Sequence, residues 1–570
     1  MPGNLGHGAY LCGLGAPFWE DVNRAMRIAC IHASLAPAFT ALGHQCLRLN
    51  PPAGLIALTP LLADFTPDLI VQQETLGPRT LIADLPTFSC PKVFWSIDTH
   101  LNSFWQLAYA RLFDLVCSTQ KHWAAWLKAQ GISHTLWLPW FGSKRPLAPW
   151  NTRTNPLVFV GRITPERPVR AWFVDWLSHH GPLQIYQDLS HEAMLSCYDT
   201  SQIVPNEAIF GEVNFRLFEA GSCGCALVTP ALGHVEELVV PDKEVLLFRD
   251  GAELAVRIRR LLNDPQQARL MGLHLRQRIC TDHLPEHRAT SLLAALTDIS
   301  QTARRGHDAE IALWLALEQL WAAERLEISL EALVHAFLHL PLDADVLAAL
   351  LRIGASKSKE DFLRLAVPVL HKNQHHDALG VNLAGTMSAL RHADLTLARA
   401  FTLRQMRSQG RPEPESMTSP VSICLAWARE LQRHGLDSRP GFVFNPRRHI
   451  PQSALECLVV ASEYAPQDTE VYQAMHQVLA RTPGWEALRL QALSYVSLRQ
   501  RENWRLGLEL GMTNCRAFRV QQGLEELALA RHTAQTRGEL HRFSALLAGM
   551  DVSGHVQKAL AHHFPLNPKP

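Results

Sequence analysis

The sequence predicts two doubly wound α/β domains followed by an all-helical array. Three observations predict it. Short apolar runs of strand length alternate with helical segments through residues 1–150. The same alternation restarts after a Pro- and Trp-rich joint at 139–155, and from about residue 306 the strand signals stop. Buried parallel strands read as short continuous apolar runs, and helices between them imply helices on both faces of the sheet.

In the first domain, 1–150, strands are expected at 10–14, 68–72 (DLIVQ), 92–97 (KVFWSI) and 115–118. Helices are expected at 23–42, interrupted at Pro37, and at 101–111 and 121–130. In the second domain, 151–305, a strand at 157–160 ends in Gly161. Strands at 183–186, 202–204, 226–229 and 245–248 follow, and helices at 254–262 and 265–280 close the unit. Two consecutive Rossmann-like domains imply a cleft between them. The third region, 306–570, contains SLEALVHAFLHLPLDADVLAALLRI and VASEYAPQDTEVYQAMHQVLA, which share a helix–turn–helix form. Ala336, Ala366 and Ala398 recur near the 34-residue tetratricopeptide period, so a TPR-like solenoid is expected. The stretch 410–453 reads as a loop excursion, and residues 1–305 as a separable unit.

Composition removes several function classes. The 570 residues carry 54 basic and 53 acidic side chains, a net charge of +1, which gives no electrostatic case for nucleic acid or an anionic membrane. The twelve cysteines include no Cys-x-x-Cys pair; Cys223 and Cys225 read as small buried residues, and the scatter fits a reducing cytoplasm. The N-terminal segment lacks a basic leader before an apolar run, and the long uncharged stretch 28–47 is broken by His32, Pro37 and His44. A cytoplasmic location without a membrane span is the expectation. No zinc spacing, P-loop, Gly-x-Gly-x-x-Gly or Gly-x-Ser-x-Gly is present, which removes a dinucleotide-dependent oxidoreductase.

The richest stretch is 204–238, VPNEAIFGEVNFRLFEAGSCGCALVTPALGHVEEL. A helix carrying Arg216 and Glu219 is expected to end at Gly221–Gly224, followed at once by a strand. Small residues let a ligand approach the backbone. Glu219 is placed near the carboxyl end of that helix, where the macrodipole disfavours a negative charge, so a specific partner is expected.

NFRLFEAGSCGCALVTP, with GHVEEL and KEVLLFRDGAEL after it, resembles the C-terminal domain of GT-B glycosyltransferases of the group 1 superfamily, and within it the CgeB-like branch. VFVGRITPERPVRAWFVDWL resembles the start of the same domain, and KVFWSIDTHLNSFW and FDLVCSTQKHW resemble the N-terminal half of that branch. The resemblance spans scattered motifs over 60–300 and omits the helical tail. It implies a hexosyltransferase-type, metal-independent reaction with a nucleotide-sugar as co-substrate and no cofactor. It assigns Glu219 to the nucleotide ribose and Arg162, Arg167 and Arg170 to the donor diphosphate. Gly161 and Gly224 permit close approach. Asn206, Asn214 and Arg216 meet the sugar or phosphate, and Asp98 and His100 face the cleft as catalytic candidates beside Arg162 and Arg170. Where the superfamily often has a first glutamate, Gly211 stands instead, and Glu212 is one position out.

Blander readings compete. Glu219 could bridge to Arg216, the arginines could be a solvated loop, Asp98 could cap a helix, and His100 could be a surface residue. The function expected is a glycosyltransferase whose helical tail recruits a protein acceptor. Its rival is a non-catalytic adaptor built on a degenerate GT-B module, which Gly211 favours.

Overall fold

The computed structural model describes residues 24–77, 79–297, 299–412 and 417–565. The strand expected at 10–14 lies outside them. The first domain is a six-stranded parallel sheet built from β1 (Arg27–Ile31), β2 (Gln45–Leu49), β4 (Leu69–Gln73), β6 (Lys92–Ser96), β7 (Leu115–Ser118) and β8 (Thr135–Trp137), in the order β2-β1-β4-β6-β7-β8. Strands β3 (Gly54–Ile56) and β5 (Thr80–Ile82) form a small parallel pair beside it. The second domain holds β9 (Asn155–Val160), β10 (Leu183–Tyr186), β11 (Ser201–Pro205), β12 (Ala226–Pro230) and β13 (Val245–Phe248), in the order β10-β9-β11-β12-β13. Every residue of β4, β6 and β7 is buried, as the unbroken apolar runs required.

The connecting helices are α1 (Ala36–Ala41), α2 (Thr59–Leu62), α3 (Thr99–Tyr109), α4 (Lys121–Ala129) and α5 (Pro168–Ser178). They continue with α6 (His191–Asp199), α7 (Arg216–Ser222), α8 (Gly251–Asn263), α9 (Pro265–Asp282) and α10 (Pro285–Thr297). The α/β expectation is met with one correction. The helix expected over 23–42 is instead strand β1 followed by α1. Met, Ala and Arg favour a helix locally, but Ile28–Ile31 sit between β2 and β4 in the sheet, paired on both sides, and tertiary pairing overrides propensity. Pro37 lies in the first turn of α1, a position proline tolerates, and interrupts nothing.

The chain crosses between the domains twice. Trp140 stacks on Trp95 and Phe141 and meets Phe215 of the second domain, with ring centroids 5.3, 4.7 and 4.5 Å apart. The Arg288 guanidinium donates to the carbonyls of Pro139 and Trp140 at 2.8 and 3.0 Å. Helix α10 then returns to the first sheet, where Ala289, Leu292 and Leu296 share a core with Ile28, Leu35 and Val93. Buried Asp114 pairs with buried Lys92 at 3.7 Å and accepts the backbone N–H groups of Thr302 and Ala303 at 2.9 and 3.0 Å, which fastens the departing chain to the first domain.

From 306 onward the described residues are helical, beginning with α11 (Gly306–Ala322), α12 (Leu330–His339) and α13 (Ala344–Lys357). The stretch 410–453 is not wholly a loop. It contains the helix Pro420–Arg433, opened by a capping box between Ser419 and Ser422 that outweighs the surrounding prolines. Both ends of the array are sealed to the α/β domains. Ala312, Ala316, Leu320 and Phe337 join one core with Phe94, Trp105 and Tyr109 of the first domain. At the far end Phe518 packs on Phe173 and Phe248 at 4.9 and 6.1 Å, and Arg519 lies over Trp172.

The shared core speaks against a unit separable at 305. A chain ended there bares the face of α3 that α11 covers. Size-exclusion chromatography of such a truncation is expected to show aggregate or insoluble protein where the full chain runs as a discrete species.

Candidate functional site

The two sheets face each other across a cleft, and the carboxyl ends of β6, β9 and β11 supply the loops that line it. A cavity of about 240 Å³ lies there, bordered by Asp98, His100, Arg167, Arg170, Arg216 and Glu219. Asn214, Glu212 and Gln120 complete its polar lining, and Gln120 ties the domains together by exchanging hydrogen bonds with the backbone of Val213 at 2.9 and 3.0 Å.

Glu219 is the most exceptional group in it. Its side chain is 15 % exposed, its nearest cationic partner is the exposed His191 at 3.7 Å, and it accepts no hydrogen bond among the described residues. Burial pushes its carboxyl up to about 7, and the Arg216 charge only partly offsets that. The bridge to Arg216 offered by the blander reading is absent, because Arg216 donates to Asn206 Oδ1 at 2.6 Å and the Val160 carbonyl at 2.7 Å. The expected place of Glu219 in its helix needs correction too. Helix α7 begins at Arg216, so Glu219 falls in the first turn, where the dipole favours a carboxylate.

The arginines separate into three situations. Arg162 is a correction: its side chain is 73 % exposed, pairs with Asp188 at 2.6 Å and lies outside the cavity lining. Arg170 lines the cavity but is committed to buried Glu207 at 2.8 Å. Arg167, at the start of α5, lines the cavity and has no ion pair among the described residues. Gly224 is a second correction. Its φ is +73°, and a Cβ there meets Leu147 rather than the cleft, while its carbonyl packs against Gly272. It serves the turn between α7 and β12, with Arg153 donating to the neighbouring Cys223 carbonyl. Cys223 and Cys225 are fully buried, as expected. Gly161 lies beneath Arg216, whose Nη2 would stand 3.2 Å from an added Cβ. Asn206 is buried behind the cavity, donating to Thr229 Oγ1 at 3.0 Å and accepting from Asn214 at 2.9 Å.

Asp98 precedes α3 without capping it through its side chain, and burial together with the Glu212 charge pushes its carboxyl up to about 6. His100 is buried, contrary to a surface role; its Nε2 stands 4.0 Å from Asp98 Oδ1, and burial holds its ring below the ordinary imidazole range. Among the described residues, the buried polar atoms around this cavity that lack partners include His100 Nδ1, Asn214 Oδ1 and Glu207 Oε1. Such atoms are costly unless a ligand or water meets them.

Two acids, Glu74 and Glu207, went unread in the sequence, and a third, Glu212, was read only as a glutamate one position out of place. Glu74, at the end of β4, accepts the N–H groups of Ile97 and Asp98 at 3.0 and 2.8 Å and so sets the loop that carries Asp98 and His100. Glu207 neutralises Arg170. Glu212 accepts from the backbone of Ile209 and Phe210 at 3.1 and 2.7 Å. An acid directly after the all-buried run LIVQQ was the available signal for Glu74.

Residues 153–294 match the family model described as glycosyl transferase-like. The match covers β9 through α10 and so contains Glu219, Arg167 and Arg170. Solved structures similar to this chain include a sucrose-phosphate synthase (tll1590) from Thermosynechococcus elongatus, at 16% identity and TM-score 0.38, covering 47% of this chain and 97% of that one. Anabaena Alr3699/HepE in complex with UDP and glucose is 13% identical, with TM-score 0.34, over 48% of this chain and 99% of its own. A glycosyltransferase from Rickettsia africae ESF-5 is 10% identical, with TM-score 0.35, over 48% and 100%. No curated protein sequence matches the chain. Among the described residues, no helix is long and apolar enough to cross a membrane.

The two cavity arginines are expected to respond differently to removal. Arg170→Ala leaves Glu207 buried without its cation and should cost about 3–5 kcal/mol of stability. Arg167→Ala should leave the melting temperature unchanged. Thermal denaturation of both variants reads the difference.

Proposed function

We propose that this protein is a metal-independent glycosyltransferase of the hexosyltransferase type, which binds a nucleotide-sugar in the cleft and transfers the sugar to a hydroxyl of a protein acceptor recruited by the TPR-like helical region. One observation carries the reading: Glu219, inside the segment that matches the glycosyl transferase-like model, holds a largely buried carboxyl group toward the cavity between two doubly wound domains, met only by the exposed His191 ring and accepting no hydrogen bond among the described residues. A carboxylate with two acceptor oxygens suits the vicinal hydroxyls of a ribose. The UDP and glucose bound in the Anabaena structure are of that donor class.

In this reading Arg167 and Arg216 face the diphosphate, and Arg167, with no ion pair among the described residues, carries most of the charge stabilisation as the nucleotide departs. The acceptor oxygen bonds to the anomeric carbon. The bond from that carbon to the diphosphate breaks, and its electron pair leaves with the nucleoside diphosphate. The hydroxyl proton passes to the Asp98 carboxylate, whose pKa of about 6 leaves it mostly ionised yet basic at neutral pH. His100, buried beside it, orients the acceptor. The CgeB-like likeness and a cytoplasmic setting belong to the same reading, and the free cysteines are compatible with the latter.

The adaptor reading retains one supporting observation, since Glu212 is engaged with the backbone of its own loop. Isothermal titration separates the two. A raised carboxyl disfavours ionisation in the fold, so the stability Glu219 contributes is present below about pH 4.5 and lost as pH rises through about 7. Ribose hydroxyls prefer the ionised form, so wild-type affinity for one of UDP, GDP or ADP should rise from pH 6 to pH 8 with proton release. Glu219→Gln should bind about ten- to a hundredfold more weakly at pH 8, lose that pH dependence, and melt no lower than wild type. No binding of any of these nucleotides would establish the adaptor.

A further inference from the structure

Two turns of the helical region press their backbone onto segments that frame the donor cavity, one in each α/β domain. The first turn is 439–442. Gly441 has a φ of +79°, and a Cβ there would overlap the Leu101 carbonyl oxygen and stand 2.7 and 2.9 Å from the carbonyl carbon and Cα of that residue. Leu101 lies in the first turn of α3, directly after His100. The second turn joins the helices Thr469–Leu479 and Glu486–Arg499. Gly484 there has a φ of +87°, and a Cβ on it would overlap the Phe210 ring and fall 2.8 Å from the Ile209 carbonyl oxygen. Pro483 covers the adjacent Gly211, where an added Cβ would stand 3.3 Å from the proline.

Each turn is braced from behind. Arg439 lies 3.9 Å over the Phe442 ring and donates to both carboxylate oxygens of Glu456 at 2.7 and 2.9 Å. The Phe442 N–H donates to the Arg439 carbonyl at 3.1 Å, and its ring meets Phe104 of α3 edge-on at 5.4 Å. At the second turn the Gly484 N–H donates to Glu486 Oε1 at 3.2 Å, and Trp485 meets Phe210 edge-on at 6.4 Å. Phe210 carries that contact inward, with its ring centroid 5.9 Å from that of His100. It also borders a second cavity, of about 750 Å³, whose far side the helical region closes from Pro440 to Pro483. Glycine adopts a left-handed φ freely, and only a residue without a side chain allows so close an approach. Side chains in contact can yield by changing rotamer, whereas backbone set against a loop in this way moves only if the loop moves too.

We infer that the two turns are positioning elements of the donor cavity, supplied by the helical region. Gly441 fixes the first turn of α3, and with it Asp98 and His100. Gly484 fixes Ile209 and Phe210, and with them the loop that leads to Asn214, Arg216 and Glu219. That loop is held from two directions, by Glu212 on its own N–H groups and by the Gly484 turn from outside. The inference rests on the glycosyltransferase reading for what the cavity binds, but the hold on the two segments is measurable without it.

Hydrogen–deuterium exchange and isothermal titration of the full chain test it together. Gly484→Ala should raise exchange in 206–215 and weaken whichever of UDP, GDP or ADP the wild type binds about tenfold. Phe210→Ala makes room for the added methyl, so in that background Gly484→Ala should cost less than about threefold. A contact acting through Phe210 produces that coupling, whereas general destabilisation lowers the melting temperature and gives additive losses. Trp485→Ala adds no atoms and reads the same contact if Gly484→Ala does not fold; exchange in 206–215 should again rise and affinity fall. At the other turn Gly441→Ala, or Phe442→Ala without an added atom, should raise exchange first in 97–103. Additive losses at Gly484 and Phe210, or exchange in these segments indifferent to the substitutions, overturn the inference. If the wild type binds none of the nucleotides, the transferase reading falls, and the coupling between Gly484 and Phe210 in the exchange data alone upholds or overturns the positioning role.

Discussion

Helix α11 lays an apolar face on α3, and the rest of the architecture follows from that burial. Ala309, Ala312, Ala316 and Leu320 are fully buried there, with Trp105 and Tyr109 opposite them. Each buried Leu or aromatic contributes on the order of 1.5–3 kcal/mol, so the seam is of a size that holds domains rather than merely touches them. It fixes the start of the helical array over the first domain, and the length of the array then delivers Phe518 to the second. The site's far wall, from Pro440 to Trp485, stands where it does because both ends of the array are pinned.

The cleft itself depends on a few buried polar groups that act on backbone rather than on ligand. Glu74 fixes the turn before α3, Glu212 fixes the turn before α7, and Glu207 compensates Arg170. With the backbone set in this way, Glu219, Arg167, Asp98, His100 and Asn214 keep bonding capacity at the cavity that other groups among the described residues do not use up.

Much of this was legible in the sequence. The runs at 68–72, 92–97 and 245–248 are buried on both faces, and nothing but a parallel strand fits so short a stretch. Glu219 stood out beside its small-residue turn. What could not be read depended on distance in space. Ile28–Ile31 lies in a stretch whose Met, Ala and Arg favour a helix, and it is a strand because two strands flank it. Arg162 and Arg170 differ by one partner each, Asp188 and Glu207, which lie 26 and 37 residues away in the chain. Gly224 looks like a ligand-facing glycine, and only the approach of Gly272 reveals that it faces inward.

The double crossing between the domains, at 139–155 and again before α10, already makes a two-stranded hinge. The array adds a third attachment far from it. A body held at a hinge and at both ends of a strap forms a closed mechanical loop, so the cleft cannot widen unless the strap lengthens. A stack of helices lengthens by changing its curvature. Widening of the donor cleft and straightening of the helical array are therefore one coordinate, and whatever stiffens the array also sets how far the two sheets can part.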